Sequence, residues 1–227
     1  MTDKPRTGLR ERQKEDRRAR IIAAARQLFL KAGPENITIE AIAEIAGVSS
    51  VTVHNYYGTK SGVLLALVAE SDRELLYTMR HDLLGKSRDP GDLLMHFLSI
   101  VCTHALKHLD KVIWRQVIAA SVNGQDPRFG KLYHDLDRRL VGVLVEEIRR
   151  LQASGLWPAE SDATQLGWAL FNIQNARFIE FISSDHIDQA TALRHLRNDI
   201  RALMLEKPPL PTGDVPTGGV LPDRCHP

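Results

Sequence analysis

The feature that most constrains this chain is a rhythm of glycines and capping residues between positions 22 and 68. Ile22, Ala25, Leu28, Phe29 and Ala32 recur at steps of three and four, the stripe of a first helix. Gly33-Pro34 ends it, with Gly where a left-handed C-cap is wanted and Pro where continuation is blocked. Thr38 can cap a second, short helix carrying Ile39, Ile42, Ala43 and Ala46. Gly47 breaks that helix, and Ser49 can cap a third that runs to about Tyr57. Gly58 closes the third, and Thr59 can cap a fourth through Leu64, Leu65 and Val68.

Two helices of about two turns joined at Gly47 form a helix-turn-helix. Short helices crossing steeply need a small residue where they meet, and Ala43 supplies it. The turn needs a residue that takes positive φ, and Gly47 supplies that. Val48 and Val53 point into a miniature core with Ile42 and Ala46, and Tyr57, four residues beyond Val53, shares the inward face. The outer faces of the third helix carry Ser50, Val51, Thr52, His54, Asn55 and Tyr56. Ser, Thr and Asn can bond base edges or phosphates, and Val and Thr methyls can meet a thymine methyl. Ser49 reads as a helix cap ahead of a base reader, and a cap can also touch a phosphate. A helix N-terminus adds its own N–H groups to an anion, and Lys60, just past the helix, can neutralise a phosphate.

Downstream, helical periodicity covers about 92–108, 110–121, 128–154, 161–183 and 187–206, with Gly, Pro, Asn, Asp and Ser clustered at the breaks. Nowhere do several β-branched or aromatic runs alternate with period two, so the fold class is all-α. The segment from Lys207 is rich in Pro and Gly and is predicted to be disordered.

Composition adds little until it is divided. The formal net charge is +2, but residues 1–60 carry eleven Lys/Arg against seven Asp/Glu, and residues 61–227 carry nineteen against twenty-one. A basic end on a nearly neutral body suits a phosphate backbone, as it also suits a solvated helix. Two cysteines, Cys102 and Cys225, are too few for a disulfide framework. The N-terminal residues are charged where a signal peptide needs an apolar stretch, and the longest clean apolar run, Val63 to Ala69, falls far short of the roughly 20 residues that span a bilayer. These features predict a cytoplasmic protein.

The chain resembles the TetR family of bacterial repressors. The residues that carry the resemblance are Ala25-Arg26-Gln27-Leu28-Phe29 with Gly33, then Thr38, Ile42-Ala43 and Ala46-Gly47-Val48-Ser49, then Thr52-Val53-His54-Asn55-Tyr56-Tyr57 and Lys60-Ser61. His54 stands where the family usually has a phosphate-contacting Tyr, Tyr57 where it has Phe, and Ser61-Gly62 where an acidic residue follows the lysine. The resemblance implies a DNA-binding regulator that is a repressor, a homodimer on a palindromic operator, released by a small-molecule effector. It implies contacts with DNA from Thr38, Ser49, Ser50, Val51, Thr52, His54, Asn55, Tyr56 and Lys60. The expected organisation is a flexible basic arm at 1–15, a helix-turn-helix domain at 16–62, a helical effector-binding and dimerisation domain at 63–206, and a disordered tail at 207–227.

The last helix places Leu193, Leu196, Ile200 and Leu203 on one seam, and the helix before it is apolar nearly all round, with Phe171 among its large residues. A helix in a lone bundle needs one apolar stripe, so these five residues are expected to face a partner copy, as the last two helices do in the resembling family. For an effector pocket the candidates are His104, His108, Trp114, Trp168, Asn172, Asn175, Arg177 and Phe178, aromatic walls with a few polar groups. Arg177 could meet a carboxylate or could sit at a surface or interface. His96, His104 and His108 share helical spacing, yet no acidic or thiolate group matches it, so neither a metal nor a cofactor is expected. An enzyme is not expected either, for no nucleophile–base set or Gly-rich phosphate loop has usable spacing. A ligand-independent activator or architectural protein is the alternative reading.

Overall fold

In the computed structural model the described residues are 8–33, 36–124 and 126–205. Among them lie nine helices and no strand: α1 (Leu9–Ala32), α2 (Ile39–Ala46), α3 (Ser50–Tyr57), α4 (Lys60–Asp82), α5 (Pro90–His108), α6 (Lys111–Asn123), α7 (Pro127–Ala153), α8 (Ala163–Ser183) and α9 (Gln189–Leu205). From α5 onward every helix end falls within two residues of its sequence expectation. The N-terminal segment differs: α1 begins at Leu9, so residues 9–15, expected in a flexible arm, are helical. The expected tail lies outside the described residues.

Side-chain caps start most of the helices. Thr38 accepts from the Ala41 N–H, Ser49 from Thr52 and Thr59 from Gly62. Asp89, Asp110, Asp126 and Asp162 cap α5 to α8 in the same way, with Pro90 and Pro127 in the first turn, where a missing N–H costs nothing. Each such cap contributes about 1 kcal/mol. Gly47 ends α2 in the left-handed region, φ 65° and ψ 40°, the conformation its turn requires.

The helices share one apolar core. α1 buries Ile21, Ala25 and Phe29 against α2 and α4, while α7 packs on α8, and α8 and α5 pack on α9. Two close approaches fix the assembly. A Cβ at Gly62 would stand 1.9 Å from the Tyr57 carbonyl oxygen, and one at Gly167 would stand 2.5 Å from Val145 Cγ2. Glycine at these positions lets α4 run against the end of α3, and α8 against α7. A polar lock joins the turn after α4 to α7. Glu147, fully buried, receives two hydrogen bonds from Arg150 (2.7 and 2.9 Å) and one from the Gly85 N–H (3.0 Å), while Arg150 also donates to the Ser87 carbonyl.

The expected partner face is redrawn by this packing. Phe171 is 2% exposed, edge-on to Phe97 and Trp168, and Leu196 is fully buried, so both belong to the chain's own core. Leu193 and Ile200 are half-buried against that core, and Leu203 is 66% exposed. Period alone cannot tell an apolar face turned to a neighbouring helix from one turned to a second chain. Among the described residues no helix is long and apolar enough to cross a membrane.

Candidate nucleic-acid interface and internal cavity

At the N-terminal end, α2 and α3 cross over Ala43 and Val53, both buried, with Val48 and Tyr57 half-buried beside them. Arg20 of α1 donates to the Ala46 carbonyl at the end of α2, tying the two helices together at 3.0 Å. What α3 leaves outward is Val51, 65% exposed, with His54 and Asn55 exposed and Ser50, Thr52 and Tyr56 half-buried. The Ser49 hydroxyl both caps α3 and pairs with the Thr52 hydroxyl at 2.9 Å, so the two form one polar unit at the helix start. Arg18 lies over the Tyr56 ring, 5.5 Å from its centroid, which orients the phenol and sets a cation beside it. Thr38 is exposed at the start of α2, and Lys60 is half-buried in the first turn of α4.

His54 is held by its own helix end. Its Nδ1 lies 2.8 Å from the Gly58 carbonyl oxygen and donates to it. That bond leaves Nε2 to face outward, an acceptor in the neutral ring and a donor once protonated. Along α1, Arg10, Arg12, Lys14, Arg17 and Arg18 are carried on exposed or half-buried positions that extend the basic surface beyond α2 and α3.

A second site lies between α4, α5, α6, α7 and α8, a cavity of about 30 Å³. Of the sequence candidates it brings together His104, Trp114, Asn175 and Phe178. Trp114 anchors one wall by donating to the Ala105 carbonyl at 3.0 Å and packing edge-on to Phe178. His104 Nε2 donates to the Ser71 carbonyl at 2.9 Å and lies 3.1 Å from its hydroxyl. Trp168, Asn172 and Arg177 do not line the cavity. Trp168 is half-buried against Phe171, and Asn172 is exposed on the outside of α8. Arg177 instead binds α8 to α9: it donates to Asp199 at 2.5 and 2.6 Å and to Glu180 at 2.8 Å, and Glu180 also pairs with His195. Its carboxylate partner is therefore internal. The side chain of His108 lies outside the described residues. No group of three His, Cys, Asp or Glu among the described residues is placed to hold a metal ion.

Sequence reasoning passed over Ser71, Asp72, Tyr133, Asp137 and Gln174, all of which line the cavity. The signal was present but small. Asp72 falls on the stripe of Val68, Leu75 and Met79, and Asp137 on the stripe of Tyr133, Leu140 and Leu144. Burial pushes the Asp72 carboxyl up to about 7, with Arg139 opposing and Asp137 adding to the rise. Burial likewise pushes Asp137 up to about 7, and it raises the Tyr133 phenol with Asp137 and Asp72 adding to it.

Comparisons with known proteins agree with this arrangement. The family profile described as bacterial regulatory proteins, tetR family, matches residues 21–67. The HTH-type transcriptional regulator BetI of Stenotrophomonas maltophilia is 28% identical over 198 residues, covering 78% of this chain and 95% of that protein. A TetR transcription regulator from Haloarcula marismortui superposes with a TM-score of 0.65 at 21% identity, covering 83% of this chain and 96% of that one. A transcriptional regulator from Saccharomonospora viridis, solved in complex with choline, superposes with a TM-score of 0.62 at 22% identity, again over 83% and 96%.

Proposed function

We propose that the chain is a transcriptional regulator of the TetR family, whose profile matches residues 21–67, and that it is a repressor that binds a palindromic operator as a homodimer and is released by a small-molecule effector. The observation that carries the reading is the position of α4. At one end Gly62 touches the Tyr57 carbonyl of the DNA-facing helix, and ten residues further on Asp72 lines the internal cavity. At 1.5 Å per residue the two points are about 15 Å apart on one helix. A ligand that shifts Asp72 therefore moves α3 as well, and a packed core passes such shifts as discrete steps.

In this reading Val51, Asn55, Ser50 and Thr52 meet base edges or backbone, while Thr38, Ser49, His54, Tyr56 and Lys60 hold phosphates. Residues 16–62 form the DNA-binding domain, and 63–206 hold the effector and the partner. Two copies joined through the outer faces of α8 and α9, with Ile179 and Leu203 at the seam, would set their α3 helices about one DNA turn apart. Binding is to duplex DNA in the cytoplasm.

Selection from a random duplex library by the full chain tests this. The expected product is an inverted repeat bound with a steep fall of affinity in salt, by a species of twice the chain mass in sedimentation. Recovery of single half-sites bound by a monomer would overturn the dimer reading. Binding that no small molecule weakens would overturn the effector and favour an architectural protein.

A further inference from the structure

Two acceptors inside the cavity are unmet. Asp72 is 2% exposed and its Oδ2 makes no hydrogen bond, and Gln174 is 1% exposed with Oε1 equally unpartnered. Both line the same space. Buried polar groups are nearly always satisfied, so a pair of orphaned acceptors around one void calls for a ligand that donates. The charge there is unbalanced as well. The Arg139 guanidinium lies 3.8 Å from Asp72 Oδ2, beyond hydrogen-bond range, and is 45% exposed. Asp137 forms no ion pair among the described residues, and neither Lys nor Arg lines the cavity. Two carboxyl groups thus stand against the guanidiniums of Arg139 and Arg73, neither of which lines the cavity. The remaining walls are rings: Trp114, Tyr133, Phe171 and Phe178. Aromatic faces attract a desolvated cation and give nothing comparable to an anion.

Resting on the effector reading above, we propose that this cavity binds a small organic ammonium ion carrying a hydrogen-bond donor, its charge facing Asp72 and Asp137, its donor satisfying Gln174 and its apolar groups set against Trp114, Tyr133 and Phe178. An organic anion would meet two acidic groups with no Lys or Arg lining the cavity, and an uncharged ligand offers those groups no counter-charge. The free space of about 30 Å³ holds one or two waters. Such an ion therefore enters only by moving the walls, of which Asp72 on α4 is one.

The test is calorimetric titration of the full chain, without DNA, with two matched sets of probes. Choline is compared with its uncharged carbon isostere, in which tert-butyl replaces trimethylammonium. Phenethylammonium is compared with phenylethanol and phenylpropionate. At least one cation should bind ten times or more tightly than its uncharged counterpart, and phenylpropionate should not bind. Asp72→Asn and Asp137→Asn should each weaken the cation at least tenfold while leaving any weak affinity for the uncharged probe unchanged. Asp72→Asn removes a buried carboxylate and Asp137→Asn a half-buried one raised by desolvation, so each should fold with a Tm at or above that of the parent at pH 8, which separates a lost site from a lost fold. Equal affinity for charged and uncharged members, preference for the anion, or binding indifferent to both variants overturns the proposal. A cation that binds yet leaves duplex affinity unchanged overturns the effector reading alone.

Discussion

At position 62 a single methyl group decides whether the DNA-facing helix can stay where it is. The clash a Cβ would make is with the Tyr57 backbone oxygen at 1.9 Å, which no rotamer change relieves. Gly62→Ala should therefore cost about 1–3 kcal/mol in denaturant unfolding, as overpacking does. It should also weaken duplex binding by more than the fraction unfolded accounts for. A variant that keeps full duplex affinity would show that α4 does not fix α3. His54 is the second residue to probe. With Nδ1 committed to the Gly58 carbonyl, its Nε2 is the ring nitrogen left to meet DNA. His54→Phe, which keeps a ring and removes that nitrogen, should weaken duplex binding, as measured by fluorescence anisotropy at fixed salt, and unchanged affinity would take His54 out of the DNA contacts. The caps Thr38, Ser49 and Thr59 were legible in the sequence because a cap acts within three residues of itself. Gly62 was not, because its need arises from where two helices meet in space.

The helices themselves were readable to within two residues from α5 onward, since Pro, Gly and Asp mark their ends chemically. Which neighbour each face meets was not. Phe171 and Leu196 have the spacing of a partner seam and are spent on α5 and α8 contacts within the chain. The cavity shows the same limit. Trp114, His104 and Phe178 attract notice by type, whereas Asp72 and Asp137 show only as acids on apolar stripes, and that they share one cavity emerges when α4 and α7 are brought face to face. The Glu147–Arg150 lock offers a test at this scale. Arg150 is 37% exposed and Glu147 fully buried. Arg150→Ala strands a buried carboxylate and should cost roughly 3–5 kcal/mol, whereas Glu147→Gln leaves a guanidinium that can turn to water and should cost less. Denaturant midpoints of the two variants check the order, and the reverse order would remove the lock from the account of how α4 and α7 are joined.

For the molecule as a whole, the raised carboxyls make stability depend on pH in an unusual direction. Asp72 and Asp137 sit at about 7 in the folded chain and near the ordinary carboxyl value of roughly 4 when unfolded. Between those values the native state holds more protons than the unfolded one. Their contribution to stability is therefore fully present below about pH 4 and falls as pH rises toward 7. The groups facing them are Arg139 and Tyr133 on α7, His104 on α5, and Arg73 on their own helix α4. Asp72→Asn should raise Tm at pH 8 by about 3 °C or more and leave it little changed at pH 4, read by calorimetry across the range. A Tm that falls at pH 8 would mean that Asp72 is held as a stabilising anion in the unliganded chain. At the same scale, Leu203→Glu on the exposed edge of α9 should shift sedimentation toward the monomer and weaken binding to a full inverted repeat far more than to a half-site.

The contact between Gly62 and the Tyr57 carbonyl also bears on how such a protein can be recombined. A cut at Gly58 separates the reading helix from the residue whose missing side chain makes room for it. A chimera that grafts a foreign DNA-reading segment ending there would inherit whatever stands at position 62 in the recipient. Grafts carried through the first turn of α4 keep the pair together, so the transferable unit of DNA specificity is longer than the helix-turn-helix itself.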